Sequence, residues 1–453
     1  MKFKLFISKV IQGCIFGALS FSCLQTAMAQ TQKKKDAEAS ALPLPSSSAR
    51  DLFSRYKDRL VQVRVLLNSA NEQSSLGSGF VVRDEVVGGA WVVTNYHVIS
   101  SLAIEPEKYS IELRSTNDRK LKASLVAVDV IHDLAILHSE PNADGKQWPS
   151  FDLRGSALAQ GEKVFSLGNP LELGFLISEG IYNGLVESRI YDQLLFSGAL
   201  NSGMSGGPAI DDVGRVVGVN VATQRNGEQL SFLVPISYAQ LLLKNAWNAK
   251  PRKEWRTEIA RQLLVHQNFI SGKLLQGNIP AKIGFSSQIL AGRQVATLDG
   301  TLTKCWAGGR EGERLKYQRD TLDCSLKSDL YIRRSVYTGS MNIRHVLLKN
   351  DNLNKPQFMA INKHNYYSRY NKYSGGETTS KECQDDYLQA VKHVYRVVSC
   401  IKAYKKFEGI YDFNIIATQM DDDSERMSSS MNLNGFSFEN GQRLSTMFLE
   451  RLQ

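Results

Sequence analysis

The chain has 453 residues, too many for one ordinary domain, so two or three are expected. Its 42% hydrophobic and 22% charged content reads as soluble and globular, with material for ordinary buried cores. The net charge of +10 is divided unevenly, because residues 251–453 hold about 30 Lys/Arg against about 21 Asp/Glu.

The N-terminus carries its own signal. Lys2, Lys4 and Lys9 accompany a mostly apolar run from Val10 to Leu24, and Ala27-Met28-Ala29 closes it with the small-x-small pattern of a signal-peptidase site. Residues 1–29 therefore read as a cleaved signal peptide, and the chain as exported, periplasmic or secreted. The alternative is a lipoprotein anchored at Cys23, which follows Ser20-Phe21-Ser22. Residues 30–50 are polar and rich in Ala, Ser and Pro, as expected of a flexible tether. From Leu60 the pattern changes to short β-branched runs (LVQVRVLL, GFVV, AWVVTN, LVAVDV, DLAILH, KVFSLG, RVVGVNV) broken by Gly, Asn and Asp. Such spacing predicts a sandwich or barrel over 51–250. A helix is expected from Ile236 to Trp247, and Ala249-Lys250-Pro251-Arg252 marks a boundary.

Residues 251–453 differ in character. A helix is predicted over Glu254–Phe269, then strand-like runs ATLDGTLTKCW and SDLYIRRSVY. Tyr387–Cys400 fits either a strand or a helix. YDFNIIATQM and SSMNLNGFSF suggest two strands joined by the turn Asp421-Asp422-Asp423, with a terminal helix after them. This half reads as α+β. Its basic residues are scattered, densest at Lys405-Lys406 and Arg333-Arg334, so a solvated surface is expected. A weak contact with an anionic cell envelope stays open, and specific nucleic acid binding is not expected. Four cysteines survive signal cleavage: Cys305, Cys324, Cys383 and Cys400. They allow three pairings, and the sequence-local one, Cys305–Cys324 and Cys383–Cys400, is the expectation. No two of them are close and no His stands at ligand spacing, so no metal site is expected.

The β-rich half offers one candidate for each part of a nucleophilic hydrolysis. Asn201-Ser202-Gly203-Met204-Ser205-Gly206-Gly207-Pro208 would let the backbone turn so that the N–H groups of Gly203 and Ser205 point at one spot, an oxyanion hole beside the Ser205 hydroxyl. A side chain at Gly206 or Gly207 would crowd an approaching substrate. His97, where the strand AWVVTN ends, is the candidate base, and Asp133, at the head of DLAIL, is the candidate carboxylate that orients it. Asp129 is the nearest rival, inside its own strand-like run, while Asp118, Asp144, Asp152 and Asp192 lie in loop-like or unpatterned surroundings.

TNYHV, DLAIL, Gly168-Asn169-Pro170, GMSGGP and LSFLVPIS, with Gly77-Ser78-Gly79-Phe80 ahead of them, resemble the trypsin-like serine peptidases of the bacterial HtrA/Deg type in the same order. The His–Asp–Ser order is that of the chymotrypsin-like fold. The resemblance spans about residues 55–245. It implies an all-β double barrel, with the triad in the cleft between two perpendicular six-stranded barrels, followed by a separate α+β C-terminal domain. Two departures stand out. Met204 occupies the position before the nucleophile, where these families carry Asn or Asp, so activation by an ion pair with a new N-terminus is not expected. Residues 251–453 show no PDZ pattern. In this fold the substrate pocket lies just upstream of the nucleophile and on the strand after it, which points to Ala199, Leu200, Asn220 and Val221. Neither stretch holds an acid, so small or medium apolar residues are expected before the scissile bond.

The leading expectation is a cofactor-free serine endopeptidase acting on protein or peptide substrates through an acyl-enzyme. The alternative is a protease-fold binding module of the cell envelope with little or no activity.

Overall fold

The computed structural model describes residues 47–452, apart from 86–88, 142–144, 146, 171–172, 188, 224–229, 248–251, 253, 276–284, 299, 311–315, 334–335 and 368–375. The expected signal peptide, Cys23 and nearly all of the tether lie outside the described residues. Residues 52–453 form one compact unit.

After helix α1 (Ser47–Tyr56), strands β1 (Leu60–Leu67), β2 (Glu72–Glu85) and β3 (Gly89–Thr94) lead into helix α2 (Tyr96–Ile104). Strands β4 (Tyr109–Ser115), β5 (Lys120–Asp129) and β6 (Leu134–Ser139) follow. These six close antiparallel in the order β1-β2-β3-β6-β5-β4. A second barrel closes as β10-β11-β12-β9-β8-β7. Its strands are β7 (Lys163–Gly168), β8 (Leu176–Leu185), β9 (Leu194–Phe196), β10 (Pro208–Ile210), β11 (Val216–Thr223) and β12 (Ser231–Pro235). Closure leaves neither sheet with an open edge, and inward Val, Leu and Ile side chains fill each interior. Val61, Val63, Val65, Val92 and Leu137 are wholly buried in the first barrel, as are Val164, Phe196 and Met204 in the second.

Helix α3 (Ile236–Trp247) has the expected bounds, whereas α4 (Arg256–Leu275) runs past its expected end at Phe269. The rest is antiparallel sheet with helices. Hairpin β13 (Phe285–Leu290) and β14 (Arg293–Leu298) precedes strands β15 (Thr303–Arg310) and β16 (Tyr317–Leu326). Next come a second hairpin, β17 (Leu330–Arg333) and β18 (Val336–Thr338), and strand β19 (Ser340–Asn350). Helix α5 (Lys355–Tyr367), strands β20 (Glu382–Gln389), β21 (Val394–Ala403), β22 (Tyr411–Gln419) and β23 (Glu425–Phe436), and helix α6 (Phe438–Leu449) complete the chain. Seven strands pair in the order β15-β16-β19-β23-β22-β21-β20, with Ile270 and Leu274 of α4 and Leu444 and Phe448 of α6 packed on the inward residues. The segment Tyr387–Cys400 is thus strand, interrupted by a turn. The run ATLDGTLTKCW is not one strand but the end of β14 and the start of β15. Each disulfide joins neighbours across a hairpin: Cys305 to Cys324 between β15 and β16, and Cys383 to Cys400 between β20 and β21.

This α+β region is not merely tethered to the barrels. Trp255, Ile259 and Leu263 of α4, Leu330, Ile332 and Val336 of the β17–β18 hairpin, and Phe407 share one apolar cluster with buried residues of the first barrel and of α2. The Gln262 side chain stitches the seam, donating to the Val128 carbonyl at 2.8 Å and accepting from the Val130 N–H at 2.7 Å.

Candidate active site

The register of β3 against β6 pairs Thr94 with Ala135, which sets the start of α2 beside Asp133. Asp133 sits in the left-handed region at φ 57°, a conformation that Asp tolerates better than most residues. Its backbone oxygen accepts from the Tyr96 N–H at 3.2 Å and the Asn95 side-chain amide at 2.8 Å. Its carboxylate then does two things. Oδ1 accepts the His97 backbone N–H at 2.8 Å, satisfying a donor in the first turn of α2, and Oδ2 lies 2.6 Å from His97 Nδ1. An ionised carboxylate only accepts, so the proton belongs on Nδ1 and the neutral ring carries its lone pair on Nε2. Burial pulls the imidazole pKa down, but the charge of Asp133 and its hydrogen bond push it up and prevail, leaving it above the ordinary 6.5.

His97 therefore sits in the first turn of a helix, and the strand ends three residues earlier, at Thr94. Asp129 is engaged elsewhere: its Oδ2 lies 2.7 Å from Nδ1 of His132, which stacks on Tyr238 beside a cavity of about 350 Å³ between β5, α3 and α4.

Ser205 stands in the loop between β9 and β10, and both barrels clamp that loop. On one side Ser78 of β2 donates its N–H to the Ser205 carbonyl at 2.8 Å and its hydroxyl to the Gly203 carbonyl at 2.7 Å. On the other, the buried Asn220 side chain of β11 donates to Met204 O at 3.3 Å and Leu167 O at 2.9 Å, while accepting from Ser166 at 2.8 Å. The amide of Asn220 is thereby used up in bracing the loop. Val221 contributes its carbonyl, which accepts the Ser205 hydroxyl at 2.9 Å. Leu200 is buried in the second barrel and Ala199 is exposed near the loop. Gly203 has φ 94° and Gly206 φ 85°. Neither the Gly203 nor the Ser205 N–H has an acceptor among the described residues, so both are available to an incoming oxygen.

The reason for glycine at 206 and 207 differs from the expected one. A Cβ on Gly206 would come within 2.3 Å of the Ser78 carbonyl and the Thr94 hydroxyl, and one on Gly207 within 2.2 Å of the Leu167 carbonyl. Those glycines serve the close approach of the loop to the barrels.

Residues 77–219 match the trypsin-like peptidase domain. His97, Asp133 and Ser205 all lie inside the matched residues. Similar proteins include a probable periplasmic serine endoprotease, DegP-like, from Pseudomonas savastanoi pv. phaseolicola, 33% identical over 176 residues, or 37% of this chain and 34% of the relative. A second, of the same description, is from Halomonas elongata, 31% identical over 41% of this chain and 38% of its own length. A solved serine endoprotease from Yersinia pestis is 25% identical, with a TM-score of 0.38 over 45% of this chain and 68% of its own. The chain spans little more than a third of the length of these two curated relatives.

The reading by motif left three participants without a role. Ser78 lies in the quoted GSGF, but its clamp on the nucleophile loop depends on barrel closure. Asn220 braces that loop through contacts with no local sequence signature. Tyr331, from the α+β region, packs its ring against His97; a separation of 234 positions leaves no pattern that would reveal this.

Proposed function

We propose that this chain is an exported serine endopeptidase in which Ser205 attacks the scissile carbonyl, His97 accepts its proton, and Asp133 holds the imidazole tautomer. The observation that carries the reading is the doubly bonded Asp133 carboxylate, which holds Nδ1 of His97 and so directs proton uptake by the neutral imidazole to Nε2. The free N–H groups of Gly203 and Ser205 would hold the oxyanion of the tetrahedral intermediate. Nε2 then returns the proton to the leaving amine, and water releases the acyl group by the same steps in reverse roles. A serine hydroxyl has three staggered positions, and the reaction uses one facing His97 instead of the one bonded to Val221. Export is supported by the N-terminal signal pattern and by the periplasmic description of the relatives.

Met204 is wholly buried in the second barrel core and offers no acid to a newly cut N-terminus, which supports activity without such a cut. The hydroxyl bond to Val221 favours one other reading, a binding module with a silent site. Digestion of an unfolded protein separates the two. The wild type should cleave it and Ser205→Ala should not, with mapped cuts following small or medium apolar residues. Equal and negligible digestion by both proteins would favour the binding module, and cuts confined to Lys or Arg would refute the apolar pocket of Ala199, Leu200 and Val221.

A further inference from the structure

The β17–β18 hairpin lies along α2, the helix that carries His97. The Tyr96 hydroxyl donates to the Ile332 carbonyl at 2.8 Å. On that helix the Ser100 hydroxyl donates to the His97 carbonyl at 3.1 Å. The Tyr331 ring meets the His97 ring edge to face, with centroids 5.9 Å apart at 74°, and is backed by Tyr337 at 5.5 Å and 80°. Arg333, next on the hairpin, bonds Glu105 at the far end of α2 at 3.0 Å.

The base of the hairpin is fixed as firmly. Thr338 and the Tyr404 hydroxyl lie 2.9 Å apart. The carbonyl of Gly339 accepts from His266 Nε2 at 2.8 Å, and His266 Nδ1 lies 2.6 Å from the hydroxyl of Tyr191, between β8 and β9. Burial holds His266 below the ordinary imidazole range, which keeps it neutral and suits it to accept from that hydroxyl. A hairpin anchored to both barrels thus presents one aromatic ring to the proposed base.

We infer that Tyr331 is a positioning residue for His97, so that the α+β region completes the active site from outside the barrels. The inference rests on His97 being the base. The Nδ1 bond to Asp133 fixes one edge of the imidazole, but rotation about χ2 has a broad energy profile, and a packed ring on the flank narrows it. What Tyr331 restrains is the direction of the Nε2 lone pair. Misdirection of a catalytic group by a fraction of an ångström costs rate and leaves substrate affinity largely intact.

The test compares the full chain with Tyr331→Ala, Tyr331→Leu and Tyr331→Phe, each checked for an unchanged melting curve. Tyr331→Ala is expected to lower kcat about tenfold with KM within about twofold, and to slow labelling by a small fluorophosphonate in parallel. Tyr331→Phe keeps the ring and should recover most of the lost rate. Should Tyr331→Ala fail to fold, Tyr331→Leu, apolar but not planar, reads the same loss. Wild-type kcat in a folded Ala or Leu variant would overturn the inference, as would a rise in KM at constant kcat, which marks a substrate contact. A wild type inert to both substrate and probe would remove the peptidase reading and the inference with it; a wild-type-like Tyr331 variant removes the inference alone.

Discussion

Asp133 performs two structural tasks with one carboxylate, and both bear on the proposed base. It satisfies the first turn of α2 through the His97 N–H and fixes the imidazole proton on Nδ1. Proton abstraction requires neutral His97, so the rate should rise with pH through an imidazole pKa held above 6.5. Replacing Asp133 by Asn removes the charge and leaves the desolvation that pulls the other way. The acid limb of kcat/KM should therefore move to lower pH, and kcat should fall on the order of 10⁴-fold because the wrong tautomer becomes available. A pH–rate profile of Asp133→Asn that overlays the wild type would contradict this assignment. Asp133 was legible in the sequence as an acid at a strand start, but its reason was not. The left-handed φ and the cap on α2 depend on β3 pairing with β6, and Asp129 is excluded by a neighbour, His132, whose orientation no spacing discloses.

At the scale of elements, α2 is held at both ends. Asp133 grips its N-terminus, and Glu105, just past its C-terminus, gathers Lys108, Arg333 and Lys406. The hydrogen bond from Lys108, opposed by burial and aided by the charges of Lys406 and Arg333, lowers the Glu105 pKa to about 2. A depressed carboxylate stabilises the fold above its unfolded pKa and loses that contribution as pH falls. The wild-type melting temperature should thus drop between about pH 4.5 and 2, and Glu105→Gln should flatten that part of the curve. Identical acid slopes in the two proteins would show that the cluster does not couple α2 to the hairpin. Helix α2 itself was invisible in the sequence for a physical reason. Tyr96, Val98, Ile99, Ser100, Ala103 and Ile104 are all buried, so the helix is enclosed and lacks the polar face on which periodicity depends. The barrel strands were easier to read because their β-branched runs end at clear turn residues. In the α+β region, SDLYIRRSVY holds two paired strands, β17 and β18, and its sequence has no Gly, Pro or Asn between them to announce the break.

Across the whole molecule, His97 and Asp133 belong to the first closed barrel, Ser205 stands in a loop that both barrels clamp, and the α+β region shares an apolar cluster with the first of them. The motifs TNYHV, DLAIL and GMSGGP single out the residues proposed to carry the chemistry. They could not tell that a hairpin more than 200 residues later would meet the same histidine, because that contact exists only once both halves are packed. The central claim, that the barrels form a working acylating site, is tested most directly by the intact mass of the oxidised protein after a fluorophosphonate, with the residues ahead of Leu60 still attached. The account predicts one adduct per chain, mapped to Ser205 and absent from His97→Ala. An unmodified mass for the folded wild type, or an adduct on any other residue, would contradict it.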